Sequence, residues 1–532
     1  MSKAYLRELI RRDPTTSWDT SQLSDHQQKN PDPLLSPASL LWPTSENYHV
    51  IPSNVLADLA LDRMFTSLAT ARLESFDLYS LWTTMPVDAT TTRYRQAVAR
   101  DLLDAKARVP ILSFIDGIEK VEQYLRAAAG ARQPSGEERW LLDAVLTYTK
   151  TIKTVSEQMA LVSWSSEGLQ TFQDALTELE SSERFLELSQ SSIRVASELS
   201  QIRYKLILED STITVDRSES TDQDYRDHLQ VLFERFGDID IQSPIIASSY
   251  RSRTHIDDRI LTILARIFTE EFSDLAAFAH ENHAFVAAWI PRLERELIYY
   301  LAWIEEILGF EARGLAWTLP VLNDGPGVQH AEALYDLALA HDLQHVPTPP
   351  VTNQWHLDGN ESITVVTGPN NGGKTTYARS VGQLYIVAAL GLPVGASDAQ
   401  ITLAPSVTTI FSEREAADRA TGRLEDEVLR IQSFFKTAEP ESFLIANEIF
   451  SSTSVSDAIA LGRLLIERCQ DRQLRAIIVT FVDELAKPTP GVVSLVGSSD
   501  RVTHQRSYKF ERRPPQGRAQ ALELALEHGL IS

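Results

Sequence analysis

Cysteine is almost absent from this chain, with Cys469 the single one in 532 residues. One thiol can form neither an internal disulfide nor a Cys-based zinc site, which suits a reducing compartment. The simplest use of Cys469 is as a small packed residue at a helix end. Long apolar runs are missing as well. Met1–Ile10 (MSKAYLRELI) lacks the apolar stretch of a signal peptide, and no run approaches the ~20 residues that span a bilayer. A cytoplasmic location with no membrane contact is therefore expected.

Positive charge is also short. The chain carries 50 Lys and Arg against 73 Asp and Glu, a net charge of −23. The deficit is uneven: residues 1–345 hold 32 basic and 52 acidic side chains, and residues 346–532 hold 18 and 21. A surface that coats DNA through its phosphates needs local positive potential, so the first 345 residues argue against a broad DNA-binding face. Arg501, Arg506, Lys509, Arg512, Arg513 and Arg518 form a late basic cluster, which reads first as a solvated edge strand and loop. Sustained heptads are absent, which excludes a long coiled coil.

What is present is an ordinary globular composition, 43% hydrophobic and 23% charged, in a chain too long for one core. Residues 1–54 are rich in Ser, Thr, Asp and Pro and read as an irregular N-terminal arm. Residues 55–345 read as a mainly α-helical domain, with a loop at Gly130–Gly136. Alternation over 204–216 predicts a small β-hairpin inside it. Helical spacing from Ile256 through Leu308 predicts two long helices, or one kinked at Pro291, which if continuous would form a lever about 80 Å long. Pro347, Pro349 and Pro350 mark a joint, after which residues 346–532 alternate apolar runs with helical stretches. Ile363–Thr367, Thr408–Phe411, Phe443–Ala446, Ile477–Thr480 and Val492–Val496 read as strands. Thr375–Leu390, Glu425–Phe435, Val455–Cys469 and Gln520–His528 read as helices. That pattern predicts an α/β sandwich around a largely parallel sheet.

One stretch of this last region carries chemistry. Val365-Val366-Thr367 runs into Gly368-Pro369-Asn370-Asn371-Gly372-Gly373-Lys374-Thr375-Thr376, which fits G-x-x-x-x-G-K-[ST] between a strand and a helix. Glycines let backbone N–H groups close around a phosphate chain, and the helix adds its positive N-terminal end. Lys374 reaches the outer phosphates and Thr375 can ligate Mg²⁺. The cradle implies ATP or a related nucleotide, with Asn370 among its phosphate contacts. Downstream, Phe443-Leu444-Ile445-Ala446-Asn447-Glu448 delivers two polar residues from an apolar strand. The first position serves the Mg²⁺ shell, where Asn447 brings no charge and holds the metal weakly. The second, Glu448, is a candidate to activate water. Trp355 and Val351, just upstream of the P-loop strand, are candidates for packing on adenine.

Several motifs in order resemble the ATPase domain of the MutS mismatch-repair family. Thr367–Tyr377 is similar to its P-loop. Ala416-Ala417-Asp418, Thr421-Gly422-Arg423 and Glu427–Ile431 resemble its middle segment. Asn447-Glu448-Ile449 through Ser452-Thr453-Ser454 to Asp457 resembles its Asp-Glu-Ile…Thr-Ser-Thr…Asp stretch, and Thr480–Leu485 its Thr-His…Glu-Leu end. The resemblance implies an ABC-type P-loop NTPase fold preceded by a helical core and lever domain, with ATP and Mg²⁺ bound. It also implies a homodimer through the ATPase domain, with Ser451–Asp457 and Thr421–Glu427 near the interface, and action on DNA. This chain departs from the pattern where Asn447 replaces Asp and Phe481 replaces the His that senses the γ-phosphate. Leu424 or Glu425 stands where a Ser is usual. These changes point to slow hydrolysis, or to a nucleotide-binding scaffold. The 1–54 arm is too short for the family's mismatch-reading domain and has no Phe-x-Glu wedge, so mismatch reading is not expected.

Overall fold

The computed structural model describes residues 37, 39–44, 47–72, 78–209, 212–218, 255–369, 371–411, 423–487, 489–499 and 506–515. Its contacts divide the chain into two compact units, each drawn from three stretches of sequence. One comprises Met1–Pro37, Lys106–Ser163 and Thr171–Pro291; the other comprises Ala38–Ala105, Trp164–Gln170 and Arg292–Ser532. Boundaries at residues 54 and 345 divide the sequence contiguously, whereas the contacts interleave it. Among the described residues no helix is long and apolar enough to cross a membrane.

The first unit is helical. Gly130 ends the helix Ala105–Gly130, and Pro134 opens the helix Pro134–Met159 at its first turn, where a missing N–H costs nothing. The two helices approach closely, since a Cβ on Gly117 would lie 2.3 Å from the Thr151 side chain. An antiparallel pair, Tyr204–Glu209 with Thr212–Arg217, covers the alternating stretch. The continuous lever is not found. His255–Ile267, Thr269–Glu281 and Ile290–Glu311 are separate helices, the third belonging from Arg292 to the second unit, and Pro291 sits in its first turn instead of kinking a longer one. Proline disfavours helix in the residue before it and fits the start of the next, so the chain breaks there.

The second unit holds a six-stranded sheet. Its strands are β1 (Ile363–Thr367), β2 (Val407–Phe411), β3 (Phe443–Asn447), β4 (Arg475–Val479), β5 (Val492–Ser499) and β6 (Arg506–Arg512). They lie in the order β2-β3-β4-β1-β5-β6, parallel except for the antiparallel edge strand β6. β1, β3 and β4 are buried along their whole length. Helices α1 (Lys374–Ala389), α2 (Arg423–Thr437) and α3 (Val455–Asp471) complete this layer. Leu444 and Ala446 join Phe434, Leu465 and Cys469 in one core, so Cys469 is a packed residue near the end of α3. The alternate residues face α1: Phe443 stacks on Tyr385 at 4.4 Å, and a Cβ on Gly382 would meet Ile445 at 2.5 Å. With apolar cover on both faces, such strands become continuous apolar runs, each fully buried large side chain contributing about 1.5–3 kcal/mol.

A second sheet of four short strands, Val321–Leu322, Gln329–Leu334, Asn353–Leu357 and Asp398–Ile401, belongs to the same unit. Trp355 lies on one of these strands, 1% exposed and edge-on to Tyr385. Burial in the core removes it as an adenine platform, while Val351 remains at the surface. The described part of the 1–54 arm is anchored here as well. Glu296 accepts from Leu40 N–H and Ser39 Oγ, Tyr300 Oη donates to Leu40 O, and Arg95 Nε donates to Leu41 O. Leu40 and Leu41 are buried, so this stretch packs as part of the second unit.

Candidate nucleotide site

In parallel α/β sheets, ligands gather beyond the carboxyl ends of the strands, where the loops diverge. The register aligns three such ends: Asn447 on β3 pairs with Val479 on β4, which pairs with Val366 on β1. The loop Gly368–Gly373 leaves β1, Glu448 follows β3, and Thr480-Phe481 follows β4. Residues far apart in sequence are thereby collected at one edge.

Glycine is required in the loop for reasons the geometry states directly. Gly368 has φ +139°, and a Cβ there would stand 3.1 Å from the Gly497 nitrogen on β5. Gly373 has φ +85° at the N-cap of α1, with Tyr508 of β6 3.2 Å from where its Cβ would be. A Cβ on Gly372 would meet the Pro369 carbonyl at 2.9 Å. Asn371, Glu448, Phe450 and Tyr508 also have positive φ around this edge. Such backbone costs on the order of 1–3 kcal/mol per residue and concentrates where a ligand is held. Thr376 is half-buried in the first turn of α1, and Asn370 lies outside the described residues.

The polar side chains converge as well. Thr375 Oγ1 donates to Asn447 Oδ1 at 2.9 Å, joining the start of α1 to the end of β3 across 72 residues of sequence. Asn447 is 8% exposed. Lys374 Nζ donates to the carbonyls of Gly368 at 2.8 Å and Pro369 at 3.1 Å. Burial lowers the Lys374 pKa, against the opposing pull of Glu448 and Asp483. Its ammonium lies 4.3 Å from the centroid of the Phe481 ring. Glu448 is partly exposed, and its N–H donates to Val479 O at 2.9 Å.

The donor set can be tested against the groups it is expected to hold. The loop is crowded at Gly368, Gly372 and Gly373, and its lysine points back along it, which fits a polyphosphate chain. For Mg²⁺ it offers two adjacent neutral oxygens, Thr375 Oγ1 and Asn447 Oδ1. Among the described residues there is no cluster of three or more His, Cys, Asp or Glu that could hold a metal. A magnesium ion here would draw its charge balance from the phosphates themselves.

Sequence reasoning missed several members. Tyr508, which closes over Gly373, sits in a strand whose charges pointed elsewhere. Gly497 approaches Gly368 from β5 with no local signal at all. Glu427 is buried, and its Oε2 accepts from Phe450 N–H at 2.8 Å, bracing the turn after Glu448 within the same chain. Ser454 caps α3 by accepting from Asp457 N–H at 3.2 Å, while its hydroxyl donates to Asp457 Oδ2 at 2.7 Å. Part of the Ser452–Asp457 pattern is thus a helix cap. Of the basic cluster, Arg512 pairs with Glu361, Arg513 with Glu511, and Lys509 Nζ donates to Thr352 O. Those members lie on or just after the edge strand. Arg501, Arg518 and the Arg506 side chain lie outside the described residues, as do Ala416–Gly422 and Gln520–His528.

Part of this region is similar to known proteins. The family model described as MutS domain V matches residues 364–509, from β1 into β6. An "Endonuclease MutS2" of Thermomicrobium roseum is 30% identical over 172 residues, 32% of this chain and 22% of that protein. An "Endonuclease MutS2" of Streptococcus equi subsp. equi is 23% identical over 217 residues, 40% of this chain and 27% of that one. A "DNA mismatch repair protein MutS" of Granulibacter bethesdensis is 30% identical over 175 residues, 32% of this chain and 18% of that one. The chain thus spans about a quarter of the length of the curated relatives it matches, and the family-model match takes in Gly368–Thr375, Asn447 and Phe481. Over residues 364–509 the chain is thus similar to domain V of the MutS family and to MutS2 and MutS proteins.

Proposed function

We propose that this chain is a Mg²⁺-dependent ATPase of MutS type, with a P-loop NTPase domain in residues 346–532. In this reading ATP binding, and slow hydrolysis, drive movement of a helical region acting on DNA in the cytoplasm, without mismatch reading. The observation that supports the reading is the 2.9 Å contact of Thr375 with Asn447 beside Lys374, which gathers the candidate phosphate and metal ligands at one sheet edge. Lys374 would hold the outer phosphates. Gly368, Pro369, Asn370, Asn371, Gly372, Gly373 and Thr376 would wrap the phosphate chain with backbone and side-chain donors. Thr375 and Asn447 would hold Mg²⁺, which when bound neutralises charge on the phosphates. Glu448 would orient a water and accept its proton, the role open to a partly exposed carboxylate just past β3.

The DNA part draws support from the relatives, which include an endonuclease and a DNA mismatch repair protein. A homodimer through the ATPase domain draws support from the family resemblance, and light scattering tests it. A monomer with and without ATP and Mg²⁺ would refute it.

Single-turnover hydrolysis tests the enzymatic reading. Turnover well above background is expected, lost in Glu448→Ala with binding retained, and lost in Lys374→Ala together with binding. Wild-type turnover by Lys374→Ala would sink it. A second reading, a nucleotide-binding scaffold with little or no hydrolysis, is favoured by the neutral Asn447 and by Phe481. ATP binding without turnover would select it.

A further inference from the structure

Phe481 has no part in the chemistry just assigned, yet it contacts the central cation of the site. It lies just past β4, 48% exposed, and a lone exposed phenylalanine is unremarkable in itself. Beneath its ring, however, lies the Lys374 ammonium, 4.3 Å from the centroid, in a residue only 4% exposed. An ammonium has three donors. Two are taken by Gly368 O at 2.8 Å and Pro369 O at 3.1 Å, and the aromatic face covers the group. The cation is therefore satisfied by its own loop and capped by the ring.

We propose that Phe481 is a positioning residue that parks Lys374 against its own loop, so that the outer phosphates of a nucleotide must compete with the ring for the ammonium. This rests on the nucleotide-site reading above and adds a regulation to it. The cost falls on phosphates that reach Lys374 and not on the nucleoside. Exposed cation–π contacts correspond to about a two- to fivefold change in an equilibrium constant. That factor sets the size of the effect. The Thr375–Asn447 contact does not involve the ring, so the Mg²⁺ requirement should not follow Phe481.

The test is equilibrium binding of ATP, ADP and AMP at fixed Mg²⁺ to the full chain and to Phe481→Ala, Phe481→Leu and Phe481→Trp. Leucine keeps an apolar cover without a π face, which separates the cation–π contact from bulk, and a half-exposed position tolerates all three changes. In Ala and Leu, ATP and ADP should tighten about two- to fivefold, with AMP unchanged. Trp should weaken ATP. Unchanged or weaker ATP binding in Ala and Leu overturns the proposal, as does an equal shift of all three nucleotides. If the wild type binds none of them, the proposal falls together with the site reading; if it binds ATP and the Phe481 series is flat, the parking alone falls. Without any nucleotide, the acetylation rate of Lys374 measured by mass spectrometry should rise in Phe481→Ala, and an unchanged rate also overturns it.

Discussion

Asn447→Asp isolates the weakest point of the proposed metal site. The side chains are nearly isosteric, so the 2.9 Å contact with Thr375 Oγ1 can persist while one negative charge is added. Two unit charges 4 Å apart interact by about 1 kcal/mol in water, so a divalent ion held across one water gains about 2 kcal/mol. The water value sets the lower bound of the attraction, because Asn447 itself is only 8% exposed. At 1.4 kcal/mol per tenfold, the Mg²⁺ concentration for half-maximal ATP binding should fall at least about thirtyfold. The assay is a Mg²⁺ titration of ATP binding at fixed nucleotide, with Asn447→Ala in parallel. Alanine removes the acceptor and leaves the Thr375 hydroxyl without its partner, so its midpoint should rise. A shift of less than about threefold in the aspartate variant, or equal midpoints for Asn447 and alanine, would refute the placement of the metal.

Gly368→Ala adds a Cβ at φ +139°, 3.1 Å from the Gly497 nitrogen. It should cost about 1–3 kcal/mol of stability and abolish ATP binding, read together by thermal melting with and without nucleotide; an alanine variant that binds ATP normally would show that the loop does not need this conformation. A pH effect is expected away from the site. His341 Nδ1 is 2.7 Å from Glu306 Oε1 and its Nε2 is 3.1 Å from Ser67 Oγ, with Asp342 and Arg63 alongside. The hydrogen bond with Glu306 raises the His341 pKa above its ordinary 6.5. A raised folded value means that this stabilisation is fully present below about pH 6.5 and is lost as pH climbs through the raised pKa. The melting temperature of the wild type should therefore drop relative to His341→Gln across that window, and parallel curves would contradict the assignment.

Much of the site was legible locally because its chemistry is local. The spacing of Gly368, Gly373, Lys374 and Thr375 lies within one strand–loop–helix segment, so it can be read without knowing the fold. The strands that carry it were legible too. β1 matches its expected bounds because both of its faces are covered, which makes the whole strand apolar and leaves Gly368-Pro369 to end it. The second sheet was not read, since Gln329–Leu334 and Asp398–Ile401 mix polar and apolar residues without a clean period. Separate helices at Pro291 were one of the two readings of that stretch, whereas the break between Ile267 and Thr269 was not read because apolar spacing continues across it.

The sequence by itself determined a glycine-rich loop carrying Lys374 and Thr375 between a strand and a helix, a neutral Asn447 at the end of a later apolar strand and a largely parallel α/β region around them, because each is written in neighbouring residues. Only the tertiary structure decided which groups meet: Thr375 with Asn447, Lys374 beneath Phe481, Tyr508 and Gly497 against the loop glycines, and Trp355 in the core instead of at a ligand. Those contacts depend on strand order and register, which bring distant segments to one sheet edge, and no local pattern records them.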